Sequence, residues 1–259
     1  MSDYKTPTLF LGHGSPLNAL ENNDFTKKLI QLGVQLGKPK AIVMISAHWE
    51  TEGSFVTAME HPELIYDFYG FPKELYQVQY KAKGNPNLAQ EISEITGNII
   101  KSEQRNWGLD HGSWTLLKFL YPLADIPVVQ ISIDRKKSLM QHFELGKLLK
   151  VLREKDVLLI GSGNIVHNLK VLDWKQDSEP FDWAIEFDEN IKNAIKAQEY
   201  DKKITELVTS RAGQLSVPTL EHFIPLLYVL GASEINDKVH FDIETIEHRS
   251  ISMRSVRFE

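Results

Sequence analysis

The stretch Ala41–Glu50, AIVMISAHWE, constrains this chain most: an apolar run rich in β-branched residues ends abruptly in a histidine, a tryptophan and an acid. Such a run reads as a strand buried on both faces, as in the interior of a sheet covered by helices. His48 then sits at the strand's carboxyl end, the edge where ligands collect in open α/β sheets. The pattern recurs. Thr8–Leu11 ends in Gly12-His13-Gly14-Ser15-Pro16, and Val157–Ile160 ends in Gly161-Ser162-Gly163-Asn164, with His167 just beyond. Three strand ends therefore deliver three histidines.

Helical patterns alternate with the strands. Phe25, Leu29, Leu32 and Leu36 recur at helical spacing within Asn18–Lys38, and Gly37 and Pro39 stop the helix before the strand at Ala41, a βαβ opening. Ser54–Thr57, Ile99–Ser102 and Pro127–Ile133 read as further strands, and Pro86–Thr96, Thr115–Tyr121 and Leu139–Leu152 as further helices. Asp182–Ala197 places Trp183, Phe187 and Ile191 on one stripe, with charged faces that suit a solvated surface. Thr219–Leu230 reads as an apolar helix with His222 near its beginning, and Val239–Ile246 and Ser250–Phe258 alternate like two strands that close one edge. No repeat, low-complexity tract or linker interrupts the chain. The expectation is an α/β fold: residues 1–259 as one three-layer α/β/α domain around a central mixed, largely parallel sheet.

Composition removes several functions. At 259 residues, with 42% hydrophobic and 25% charged content, the chain can fill one core. A net charge of −6 gives no general attraction to nucleic acid or anionic membranes. No cysteine occurs, so disulfides, thiolate nucleophiles and Cys-rich zinc folds are excluded, and histidine and carboxylate remain as the strong metal ligands. The N-terminus lacks a signal-peptide pattern, and no apolar run approaches membrane-spanning length, which sets a cytoplasmic protein as the expectation.

Nine histidines are present. His61, His142, His240 and His248 lie in loop, helical or tail contexts without glycine turns and read as surface or core residues. His13, His48, His111, His167 and His222 each sit at a strand end, in a glycine-containing turn or at a helix start, positions able to converge at one end of a sheet. A divalent metal is the simplest use of several imidazoles, and three protein ligands with open positions mark a catalytic centre. The region from His61 to Tyr80, crowded with Tyr66, Phe68, Tyr69, Phe71, Tyr76 and Tyr80, is either an aromatic satellite core or a substrate-facing lid. Other motifs do not compete. Gly161-Ser162-Gly163 lacks the last glycine of a dinucleotide loop, no Walker-type Gly-Lys-Ser/Thr occurs, and Gly12–Pro16 is not a Gly-x-Ser-x-Gly elbow.

The joint motifs Gly12-His13-Gly14-Ser15-Pro16, Ser46-Ala47-His48-Trp49-Glu50, Asp110-His111-Gly112-Ser113-Trp114, Gly161–Asn164 with His167-Asn168, and Glu221-His222-Phe223 resemble the class III extradiol ring-cleavage dioxygenases. The resemblance is to their DOPA 4,5-dioxygenase-like branch, covers almost the whole chain in family order, and extends to Phe71-Pro72 and Leu75-Tyr76. It implies one divalent metal held by His13, His48 and His222, with Fe(II) for catalysis and Zn(II) as an ion the all-histidine set also suits. His167 matches the family's acid/base histidine, with a place as fourth metal ligand as its other reading, and His111 a histidine that contacts the substrate. The implied partners are a small catechol and O2, acting on a monomer or small homo-oligomer, and an imidazole pKa near neutrality would let His167 both take and return a proton. Two rival readings use the same residues. A zinc hydrolase would take Glu50 or Glu221 as general base, and a non-catalytic binding protein would keep the fold with histidines that do not converge.

Overall fold

Alternate residues of the strand at Ala41–Thr51 enter different cores: Ile42 and Met44 pack on one side of the sheet, Val43 and Ile45 on the other. Leu158 and Ile160 divide from Val157 and Leu159 in the same way, and Leu9 and Leu11 from Phe10. Two-residue alternation between two dry faces is what a sheet sandwiched by helices requires.

The computed structural model describes residues 5–103, 107–174, 178–200 and 202–259. In chain order the strands are β1 (Thr8–Gly12), β2 (Ala41–Thr51), β3 (Ser54–Thr57), β4 (Ile100–Glu103), β5 (Val128–Asp134), β6 (Val157–Gly163), β7 (Val239–Ile243), β8 (Ile246–Glu247), β9 (Ile251–Ser252) and β10 (Ser255–Phe258). The helices are α1 (Asp24–Leu36), α2 (Pro86–Ile95), α3 (His111–Leu120), α4 (Leu139–Leu149), α5 (Asp182–Ala197), α6 (Lys202–Thr209), α7 (Arg211–Ser216) and α8 (Ile224–Ala232). Among the described residues, eight strands form one sheet in the order β4-β3-β5-β2-β6-β1-β10-β7, and β8 and β9 make a separate small pair. β5, β2, β6 and β1 run parallel, while β10 and β7 close one edge antiparallel, so the sheet is mixed and largely parallel at its centre. Helices α1 and α3 cover one face through Leu29, Leu32, Trp114 and Leu117; α2, α4, α5 and α8 cover the other.

Most strand and helix expectations hold, with four main differences. The two strands expected at Val239–Ile246 and Ser250–Phe258 are each broken, into β7 and β8 and into β9 and β10. The helix expected from Thr115 starts at His111, because the backbone N–H of His111 finds an acceptor in Asp67 (3.0 Å). His222 precedes α8 instead of lying on it, since Pro225 is suited only to the first turn of a helix. Two short helices, α6 and α7, occupy a stretch for which the sequence names no element. No helix among the described residues is long and apolar enough to cross a membrane.

Candidate metal and substrate site

The carboxyl ends of β1, β2 and β6 lie side by side, and the residues leaving them build the site. β2 pairs with β6 only as far as Ser46, and between Ile45 and Glu50 it outruns β5, which advances only from Ile131 to Ile133. This irregularity turns His48 out of the ladder and over the sheet edge. His13 follows Gly12 directly, its backbone N–H held by Gly163 O (3.1 Å). His167 is pinned through its own N–H to Ser216 O (2.8 Å) and bridges Ile251.

Gly163 explains the Gly161–Asn164 motif: the carbonyl of His222 sits where a Cβ would be, and the amide of Asn164 donates to that carbonyl (2.9 Å). The glycine is therefore a close-approach position that seats the His222 turn on the end of β6. Gly112 plays a similar part, since a Cβ there would stand 2.6 Å from Ser46 Oγ and 2.9 Å from His48 Cδ2.

All five junction histidines line one cavity of about 440 Å³. Ring centroids are 5.0 Å apart for His13 and His48, 5.2 Å for His13 and His222, 5.1 Å for His48 and His222, and 3.9 Å for His48 and His111. His13, His48 and His222 each offer a ligand atom within 4.8 Å of the others, and His48 Nε2 lies 3.2 Å from His13 Nε2. His167 groups at ligand distance with Glu221 and His222 instead.

Two of the three converging rings are hydrogen-bonded at Nδ1, and the third has a carboxylate beside that atom. Ser162 Oγ donates to Gly112 O (2.5 Å), so it must accept from His13 Nδ1–H at 3.0 Å. Glu221 Oε1 lies 3.2 Å from His222 Nδ1, and Asp67 Oδ2 lies 3.2 Å from His48 Nδ1. This leaves Nε2 as the free nitrogen on each. Burial, reinforced by neighbouring imidazoles, holds all three well below the ordinary histidine pKa and so neutral. Three neutral imidazoles with polar groups beside Nδ1 are the donor set a divalent cation takes, and the residues fit such an ion.

The surroundings add three groups to which the sequence reading gave no role in the site. Asp67 reaches both His48 and His111; burial would raise its pKa, but the two imidazoles outweigh this and keep it low. Asp110 is buried and accepts from Ser46 Oγ (2.7 Å), Trp107 Nε1 (3.3 Å) and the Gln130 amide, while burial pushes its pKa up to about 6. His248, read as a tail residue, lines the cavity wall beside Trp174. Its only local signal is the left-handed turn it forms with Arg249, at φ 51° and 68°, which no glycine announces. Burial pushes His167 down to about 4, below the near-neutral value expected from the sequence.

The aromatic segment divides between the core and the cavity wall. Leu75, Val78 and Tyr80 belong to the buried core, whereas Phe68, Tyr69 and Phe71 line the cavity. Of the candidate acids, Glu50 does not line the cavity and Glu221 is engaged with His222.

A family model described as the catalytic LigB subunit of aromatic ring-opening dioxygenase matches residues 8–259. A 4,5-DOPA dioxygenase extradiol of Escherichia coli (strain K12) is 46% identical over 260 residues, covering 99% of this chain and 96% of that protein. A protein of the same name from Beta vulgaris is 35% identical over 257 residues, covering 97% and 96%. An uncharacterized Escherichia coli K12 protein of known crystal structure matches with a TM-score of 0.87 and 43% identity, over 98% of this chain and 100% of that one. The fold, the site and these likenesses together define an extradiol aromatic ring-opening dioxygenase. The chain belongs to the LigB family.

Proposed function

We propose that this enzyme is a metal-dependent extradiol dioxygenase that opens a side-chain-bearing catechol by DOPA-like 4,5-cleavage, giving a muconic semialdehyde, with the whole chain as one catalytic domain. The observation that carries this reading is the convergence of His13, His48 and His222, each with a polar group at Nδ1, in a cavity walled by aromatic side chains. These three would hold one divalent metal, with Fe(II) as the catalytic ion and Zn(II) as one the same imidazoles accept. A metal there supplies Lewis acidity toward the catechol oxygens and, as iron, a path for electrons from ring to O2.

The chain's own residues supply the rest. His167, neutral because it is buried, takes the proton of a catechol hydroxyl and later returns it to the opening ring. His111, at the first position of α3, hydrogen-bonds the oxygen on which negative charge develops; such a donor is typically worth about a hundredfold or more in rate. Phe68 and Phe71 stack beside the ring and exclude water. Leu169 and Trp174, 58% and 63% exposed at the mouth, give the side chain an apolar exit.

The test is anaerobic loading with Fe(II), then admission of air over a panel of catechols with and without side chains. A yellow product with matching oxygen uptake supports the reading. Silence across the panel with iron verified rejects it.

A further inference from the structure

A single carboxylate meets two cavity histidines that come from different parts of the chain. Asp67 Oδ2 lies 2.9 Å from His111 Nδ1 and 3.2 Å from His48 Nδ1, while Asp67 Oδ1 accepts the backbone N–H of His111 at 3.0 Å. Its side chain is only 15% exposed. Neither ring N–H points straight at Oδ2, so both contacts are ion-pair approaches that a modest ring rotation turns into hydrogen bonds. His48 arrives from the irregular end of β2, His111 from the first turn of α3, and Asp67 from the segment that also carries Phe68, Tyr69 and Phe71.

A carboxylate against Nδ1 fixes which nitrogen carries the proton and which way the ring faces. We propose that Asp67 is the positioning residue of this site: it sets the rings of His48 and His111 together, so that one presents Nε2 to the metal and the other to the substrate. The inference rests on the metal reading above. The competing assignment makes Asp67 a ligand of a second ion with His48 and His111, whose ligand atoms also lie within 4.8 Å of one another. Against it, Oδ1 is already occupied by an amide, and His48 Nε2 faces His13 while Nδ1 faces Asp67.

The test uses the full chain and Asp67→Asn, which keeps the shape and an oxygen for the His111 amide but removes the charge. Zn(II) affinity and stoichiometry are measured by competition with a chromophoric chelator, and kcat and KM on a catechol that the wild type opens. The expected result is one Zn(II) per chain in both proteins, affinity about ten- to hundredfold weaker in the variant, and kcat lowered more than KM is raised. Wild-type affinity and kcat in a folded variant overturn the proposal, as does a stoichiometry that falls from two to one. Should Asp67→Asn fail to fold, Asp67→Ser keeps a hydroxyl for the same amide and is read in the same way. The zinc titration needs no turnover, so a wild type inert toward every catechol sinks the functional reading while the titration still decides the role of Asp67.

Discussion

His167 lies face to face with His222, ring centroids 3.4 Å apart and planes 10° from parallel. An imidazole nitrogen donates its lone pair in the plane of its ring. Two nearly parallel rings at stacking distance therefore direct their lone pairs side by side, a poor posture for gripping one ion between them even though their ligand atoms and that of Glu221 lie within 4.8 Å of one another. His222 is tied at Nδ1 by Glu221 and groups with His13 and His48, an arrangement that fits the proton-transfer role proposed for His167.

His167→Ala is accordingly expected to retain the metal while ring opening falls by about 10²–10⁴, the usual contribution of a positioned acid or base. Metal content per chain and turnover are measured on the same sample. Loss of the metal along with activity would make His167 a ligand.

Gly163→Ala tests the seat of His222. The added methyl would overlap the His222 carbonyl, a backbone atom that cannot swing aside, so the turn before α8 must shift. The expected outcome is a lower melting temperature, by the ~1–3 kcal/mol that overpacking costs, together with weaker Zn(II) binding. A variant that melts lower yet binds zinc as tightly as the wild type would show that the turn can move without carrying the His222 ring.

The five junction histidines were legible because each stands beside a strand end, a glycine turn or a helix start, where local pattern and position in the fold coincide. Asp67 and His248 were not. Asp67 reaches the site because its segment folds back over β2, bridging Leu64 to Leu109 and receiving the Trp114 Nε1 hydrogen bond at Ile65 O (3.1 Å). Those are tertiary contacts that no periodicity spells. The same limit explains α5. Its charged faces read as solvated, yet Asp188 is only 3% exposed and accepts from Arg254 Nε at 2.8 Å, a partner 66 residues away. The alternation of the tail suggests two strands where the chain forms four, β7 to β10, and the insertion of β10 between β1 and β7 depends on pairing across the whole chain.

Arg254 itself offers a stability prediction. It is 2% exposed and joins Asp188 and Glu189 on α5 to Glu244 after β7, while Ser252 Oγ donates to the other oxygen of Asp188 (2.5 Å). Arg254→Met keeps much of the volume but leaves the Asp188 carboxylate buried beside acids, a loss of about 3–5 kcal/mol. Urea unfolding measures it. Combining Arg254→Met with Asp188→Asn should recover part of the loss, and strict additivity of the two losses would show that the pair does not interact.

The last prediction concerns pH and a histidine outside the cavity. His142 on α4 is fully buried, 3.0 Å from the Tyr228 hydroxyl on α8, and burial pushes its pKa down to about 4 despite the opposing charge of Asp134. The unfolded chain binds this proton at about pH 6.5, whereas the folded chain refuses it until about pH 4. Stability from this group is thus complete above pH 6.5 and is lost as pH falls toward 4, because the unfolded state then holds more protons. At about 1.4 kcal/mol per pKa unit, the loss between pH 7 and pH 5 is about 2 kcal/mol. His142→Gln keeps a polar partner for Tyr228 but cannot titrate, and the cavity histidines contribute the same slope to both metal-free proteins. Urea unfolding free energies of wild type and variant should therefore converge as pH falls from 7 to 5, by about the amount given. Parallel profiles across that interval would show that the His142 proton is no harder to place in the folded chain than in water, and a wild type that gains on the variant as pH falls would show that the folded chain holds this histidine protonated.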